Sequence, residues 1–143
     1  MQRRRLLAAA IAIVIASGCG SNEAETSDDD GPRRAVESYI DALNSRDAAA
    51  LMRVGGVPED QAAKLEARRI LAEKGGRGLR IVDLKVGYDF GPDVGSAKLT
   101  ARDDGGKDVR ETVTVAREDG AWHVVVFTDR PSDKSSSATG DPA

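Results

Sequence analysis

Cysteine and histidine are almost missing from this chain of 143 residues, which carries one of each, Cys19 and His123. A single cysteine cannot form an internal disulfide. One histidine and one cysteine also supply too few ligands for a zinc site, so no metal is expected. Aromatic residues are scarce, with two phenylalanines, two tyrosines and one tryptophan. Any core must therefore be mostly aliphatic. The longest apolar run, from Leu6 to Ala16, is far short of the roughly 20 residues that a spanning helix requires. Excess positive charge is lacking as well: the formal net charge is −3. That balance argues against nucleic acid, whose phosphates call for a basic surface. The chain has no glycine-rich phosphate loop, serine elbow or fixed-period repeat, and no cofactor is implied.

What is present begins with an address. Arg3, Arg4 and Arg5 precede the apolar run, and the stretch ends Ala16-Ser17-Gly18-Cys19. A charged start, a short apolar centre and small residues at the end are the anatomy of an export signal. Cleavage between Gly18 and Cys19 would leave the lone cysteine as the first residue. The segment resembles a bacterial lipoprotein signal, which implies lipidation of Cys19 and a cell-membrane location outside the cytoplasm. One acyl chain holds only reversibly, so the durable hold comes from several. Loss of the three leader arginines takes the formal charge from −3 to −6. With so little basic surface, the membrane partner is reached through lipid.

Composition divides the rest. Residues 1–18 read as the signal and residues 19–31 as the lipidated cysteine with an acidic tether, GSNEAETSDDDG after Cys19. The tether has no large apolar residue and cannot bury enough surface to order itself. Residues 32–128 read as one domain, and the serine-, aspartate- and proline-rich residues 129–143 as a frayed tail. Inside the domain, helices come first. Val36, Tyr39, Ile40 and Leu43 recur at helical spacing after Pro32. Asp47 is placed to cap a short helix over Ala48–Met52, which Gly55-Gly56 stops. Pro58 is expected to start a third helix with Ala62, Leu65, Ile70 and Leu71 inward, ending at Gly75-Gly76.

The period then changes to two. Val82, Leu84, Val86, Tyr88 and Phe90 alternate with polar residues, as do Ala97, Leu99 and Ala101. Val109, Glu111, Val113 and Val115 form a third alternating set. Ala121–Phe127 is apolar on both faces, which predicts a central, covered strand. Short turns join all four, as in an antiparallel meander. The expected class is α+β, with N-terminal helices packed on a curved antiparallel sheet of about four strands.

AVESYIDALNSRDAAAL (Ala35 to Leu51), the glycine-bounded third helix and EDGAWHVVVF (Glu118 to Phe127) together resemble the nuclear transport factor 2-like superfamily. They are similar to its small exported lipoproteins in particular. A cystatin-like helix-on-sheet arrangement would give the same pattern. The resemblance implies a cone between helices and sheet where ligands or substrates bind. Tyr39, Tyr88, Trp122 and His123 are the candidates to line it. For each, the simpler role is structural: Tyr39 and Tyr88 are in phase with core positions, and nothing local pairs with His123. The first functional reading is a non-catalytic binding or interaction module at the envelope, its partner a protein or small molecule. The second is a small-molecule-binding protein or enzyme using the cone. The third is a homodimer formed through the open sheet face.

Overall fold

The structure, a computed structural model, describes residues 30–128. Gly18, Cys19, the signal and the tail lie outside the described residues. Helix α1 spans Asp30–Ser45 and buries Ala35, Val36, Tyr39, Ile40, Ala42 and Leu43 on one face. It begins two residues before the expected boundary at Pro32, so Asp30 and Gly31 belong to the helix. Proline is tolerated in a first turn because its missing N–H would have no partner there. Helix α2 spans Ala48–Gly55. As expected, Asp47 caps it, its Oδ1 accepting from the Ala50 N–H at 3.0 Å. Gly56 ends it at φ 64°, a conformation that suits glycine.

Helix α3 spans Gln61–Lys74 and starts later than expected. Asp60, not Pro58, is the cap, accepting from the Ala63 N–H at 2.8 Å. Its buried face is Ala63, Ala67, Ile70 and Leu71, whereas Leu65 is 57% exposed and Ala62 is exposed. The larger leucine misleads here. Alanines at i and i+4 fill the buried stripe because α3 lies close to its neighbour.

The four strands are β1 Arg80–Gly87, β2 Val94–Arg102, β3 Asp108–Glu118 and β4 Ala121–Val124. They form one antiparallel meander in that order. Leu84 stands opposite Leu99, Ala97 opposite Val113, and Val115 opposite Val124. An irregularity between Ile81 and Asp83 inserts a residue into β1. Such a bulge flips every side chain on one side of it. Ile81 therefore packs against the core while Val82 faces solvent. Tyr88 and Phe90, expected to continue the inward face, lie beyond the strand end, and Phe90 is 77% exposed.

The last strand is the main correction. β4 is an edge strand of four residues rather than a central one. It is apolar on both sides because α1 and α2 both pack against it. α1 lies across all four strands, closing a core of Val36, Tyr39, Leu43 and Leu51 over Leu84, Leu99, Val113, Val115 and Val124. Asn44 ties the end of α1 to the start of the sheet. Its Nδ2 donates to the Leu79 carbonyl at 2.8 Å, and its Oδ1 accepts from the Leu79 N–H at 2.7 Å.

Three rings from β4 and the residues just after it rest on glycines of α1 and of the end of α2. Trp122 covers Gly31, Phe127 covers Gly55 and His123 covers Gly56, each so closely that an added Cβ would overlap the ring. Gly55 gives a test in which two effects oppose. Alanine gains up to about 1 kcal/mol of helix propensity, but overpacking a filled site costs about 1–3 kcal/mol. Phe127 is buried and cannot swing away, so the second term wins. Gly55→Ala is expected to lower the thermal midpoint by roughly 4–8 °C. A calorimetric midpoint at or above that of the wild type would show that the ring has room.

Candidate functional site

An open cleft of about 380 Å³ lies where α1, α2 and β4 meet. Gly31, Arg34 and Ser38 line it from α1, Arg53 and Val54 from α2, and Trp122 and His123 from β4. Two of the residues singled out in the sequence thus share one site, held there by the rings on Gly31 and Gly56. Trp122 also meets the Tyr88 ring edge-on, with centroids 6.1 Å apart and planes at 62°. On the same tryptophan, the Arg117 guanidinium stands 5.6 Å from the ring centroid, within cation–π range. Three of the four candidates therefore gather at this end of the domain. Tyr39 does not.

His123 is the only imidazole, and its Nδ1 is buried without a hydrogen-bond partner. A buried N–H lacking an acceptor would be costly. We therefore assign the tautomer with its proton on Nε2, which leaves only an acceptor at Nδ1. Arg34, Ser38 and Arg53 were not legible as site residues. Arg34 and Ser38 are one helical turn apart on α1, but nothing local shows that the end of α2 adjoins them.

Tyr39 lies at the opposite side of the core, fully buried, its hydroxyl beside the Lys74 ammonium. Near it, Lys74 at the end of α3 donates to Glu111 of β3. The pair borders a second open cleft of about 320 Å³ that includes Leu43, Arg77 and Leu79. Burial raises the Tyr39 pKa, and the Glu111 charge adds to this while Lys74 opposes it. Burial disfavours the charged form of Lys74, but its hydrogen bond to Glu111 and the charges of Glu111 and Tyr39 outweigh that and raise its pKa. The alternation on β3 had put Glu111 on the inward face among valines. An inward carboxylate needs a cation, and α3 supplies it. With Glu111 tied to Lys74 and Tyr39 closed off, the trio joins α1, α3 and β3 and offers no free general base. Among the described residues no group of three histidine, cysteine or acidic side chains is placed to hold a metal ion. Nor is any described helix long and apolar enough to cross a membrane.

Two outcomes follow from this trio. Tyr39→Phe keeps the ring and removes only the hydroxyl beside Lys74, so stability at neutral pH should change by no more than about 1 kcal/mol, whereas Tyr39→Ala should cost about 3–5 kcal/mol. Both Tyr39 and Lys74 hold protons more tightly in the folded chain. Their contribution is complete below the ordinary values of 10.0 and 10.5 and is lost as pH climbs past them. Denaturant midpoints measured from pH 8 to 11 should fall, and less steeply in Tyr39→Phe. Equal slopes in both proteins would remove Tyr39 from this account.

No family model and no curated protein matches the chain. Two solved structures are similar to it. One, a crystal structure from Campylobacter jejuni described as a candidate NTF2-like transpeptidase, shares 16% identity with a TM-score of 0.50, over 65% of this chain and 95% of that one. The other is a candidate dehydratase of the NTF2-like family from Streptomyces avermitilis. It shares 15% identity with a TM-score of 0.43, over 68% of this chain and 90% of that one. At such identity the likeness speaks for architecture. Residues 30–128 form an α+β domain with the nuclear transport factor 2-like fold, three helices on an open four-stranded antiparallel sheet.

Proposed function

We propose that the protein is exported, lipid-anchored through Cys19, and acts at the cell envelope as a non-catalytic binding module. The observation that carries the binding reading is the state of the helix–sheet interior. A continuous cluster of buried side chains, Tyr39 among them, occupies the space between α1 and the sheet. The clefts of about 380 and 320 Å³ open outward instead, a size suited to small ligands. A fold of this kind hosts enzymes and adaptors alike, so the site and not the fold must argue function.

The outward face of the sheet supports a ligand-binding reading over self-association. It presents Asp83, Lys85, Lys98, Arg110 and Thr112, all exposed. Val82 is the one strand residue among the large apolar side chains exposed in the described residues. Such a polar face offers little apolar area to draw a second copy.

Anchoring rests on the leader and on the acidic spacer before α1. If extended, the ten residues from Gly20 to Asp29 would reach up to about 35 Å, enough to hold the domain clear of the headgroups. Replacing Cys19 tests it. Cys19→Ser is expected to move the protein from the membrane to the soluble fraction, or to leave an uncleaved precursor. Continued processing of that variant, together with a lipid label in the membrane fraction, would sink the proposal.

A further inference from the structure

The open cleft between α1, α2 and β4 carries a charge opposite to that of the protein around it. The chain without its leader arginines is acidic, yet the cleft is lined by two arginines and no carboxylate. Several of the domain's other arginines are engaged. Arg33 donates to the Leu84 carbonyl at 3.1 Å, and Arg102 and Arg117 pair with Asp108 and Asp93. Arg34 and Arg53 have no hydrogen bond or ion pair from their guanidinium groups among the described residues. Both side chains are exposed, one on each wall of the cleft.

We propose that this cleft binds a phosphate ester, with Arg34 and Arg53 holding the phosphate and Trp122 taking the organic part of the ligand. This deepens the binding-module reading by naming its site and ligand class. A guanidinium presents a planar fork of N–H donors that matches phosphate oxygens two at a time. Two such groups balance a doubly charged phosphate, whereas a carboxylate would leave one of them unpaired. Ser38 stands one turn from Arg34 on the same helix and adds a hydroxyl donor. The His123 ring adds Nε2–H under the tautomer assigned above. The half-buried Trp122 ring supplies an apolar surface beside these donors, and the volume of about 380 Å³ suits a small ligand. The phosphate can belong to a free ester or to a lipid headgroup, since the recognising chemistry is shared.

Trp122 is the only tryptophan, so its fluorescence reports on this cleft alone. The purified full chain would be titrated with glycerol 3-phosphate, with vesicles containing phosphatidic acid, whose headgroup is a phosphate monoester, and with phosphatidylcholine vesicles, at matched sodium chloride. A saturable change with glycerol 3-phosphate supports a free ester. A change with phosphatidic acid but not phosphatidylcholine supports a headgroup. In either case the Arg34→Ala/Arg53→Ala double variant should bind at least tenfold more weakly. Both positions are exposed, so its thermal midpoint should match the wild type, and Ser38→Ala should weaken binding two- to fivefold. The inference is overturned if neither phosphate source changes the emission beyond sodium chloride. It is equally overturned if the double variant titrates within threefold of the wild type. Failure here would leave the Cys19→Ser fractionation result untouched, so the two readings fall separately.

Discussion

The domain depends on the closeness with which β4 and the residues just after it lie on α1 and α2. Trp122, His123 and Phe127 rest on Gly31, Gly56 and Gly55, where any side chain would collide with the ring above. Glycine costs a helix about 1 kcal/mol relative to alanine. At Gly31 and Gly55 that cost is offset by burying rings directly on helix backbone, and at Gly56 the left-handed turn demands glycine in any case. The closure turns a four-residue edge strand into a covered one, since α1 and α2 take the place of a neighbouring strand. It also brings the first turn of α1 beside the last turn of α2, which makes the arginine-lined cleft.

At the other end of α1 the fold is held by polar groups rather than rings. The paired hydrogen bonds of Asn44 to Leu79 fix where the chain passes from helix to sheet. Gly76 adds a backbone bond to the Leu43 carbonyl at 2.9 Å. The Lys74–Glu111 pair then joins α3 to β3 at the border of the second cleft. Both side chains stay partly exposed, which spares them the full penalty of burying charge. The two ends thus divide the labour: one is stapled by charge and amide contacts, and at the other Arg34 and Arg53 have no ion pair among the described residues.

Local patterns carried much of the architecture. The change of hydrophobic period from 3.6 to two at residue 79 marks the passage from helices to strands. Asp47 and Gly56 bound α2 where cap chemistry puts them, and the short turns impose the meander. Errors arose where a long-range contact overrode a local cue. Leu65 points to solvent because α3 buries its alanine stripe. The bulge after Ile81 turned Val82 outward, and Tyr88 and Phe90 left the inward face because β1 ends at Gly87. Glu111 was placed inward correctly, but its lysine partner sits 37 residues away at the end of α3.

The sequence by itself determined the class of the domain, the order of its elements and the apolar face of α1, and it supplies the leader on which the proposed anchoring at Cys19 rests. These follow from spacing, capping and composition, all of which act over a few residues. Only the tertiary structure decided that β4 is an edge, that Trp122 and His123 lie over helix glycines, and that Arg34 and Arg53 face one cleft. The physical reason is distance along the chain. Arg34, Arg53 and Trp122 come from three separate elements, and only packing of α1 and α2 against β4 brings them to one surface.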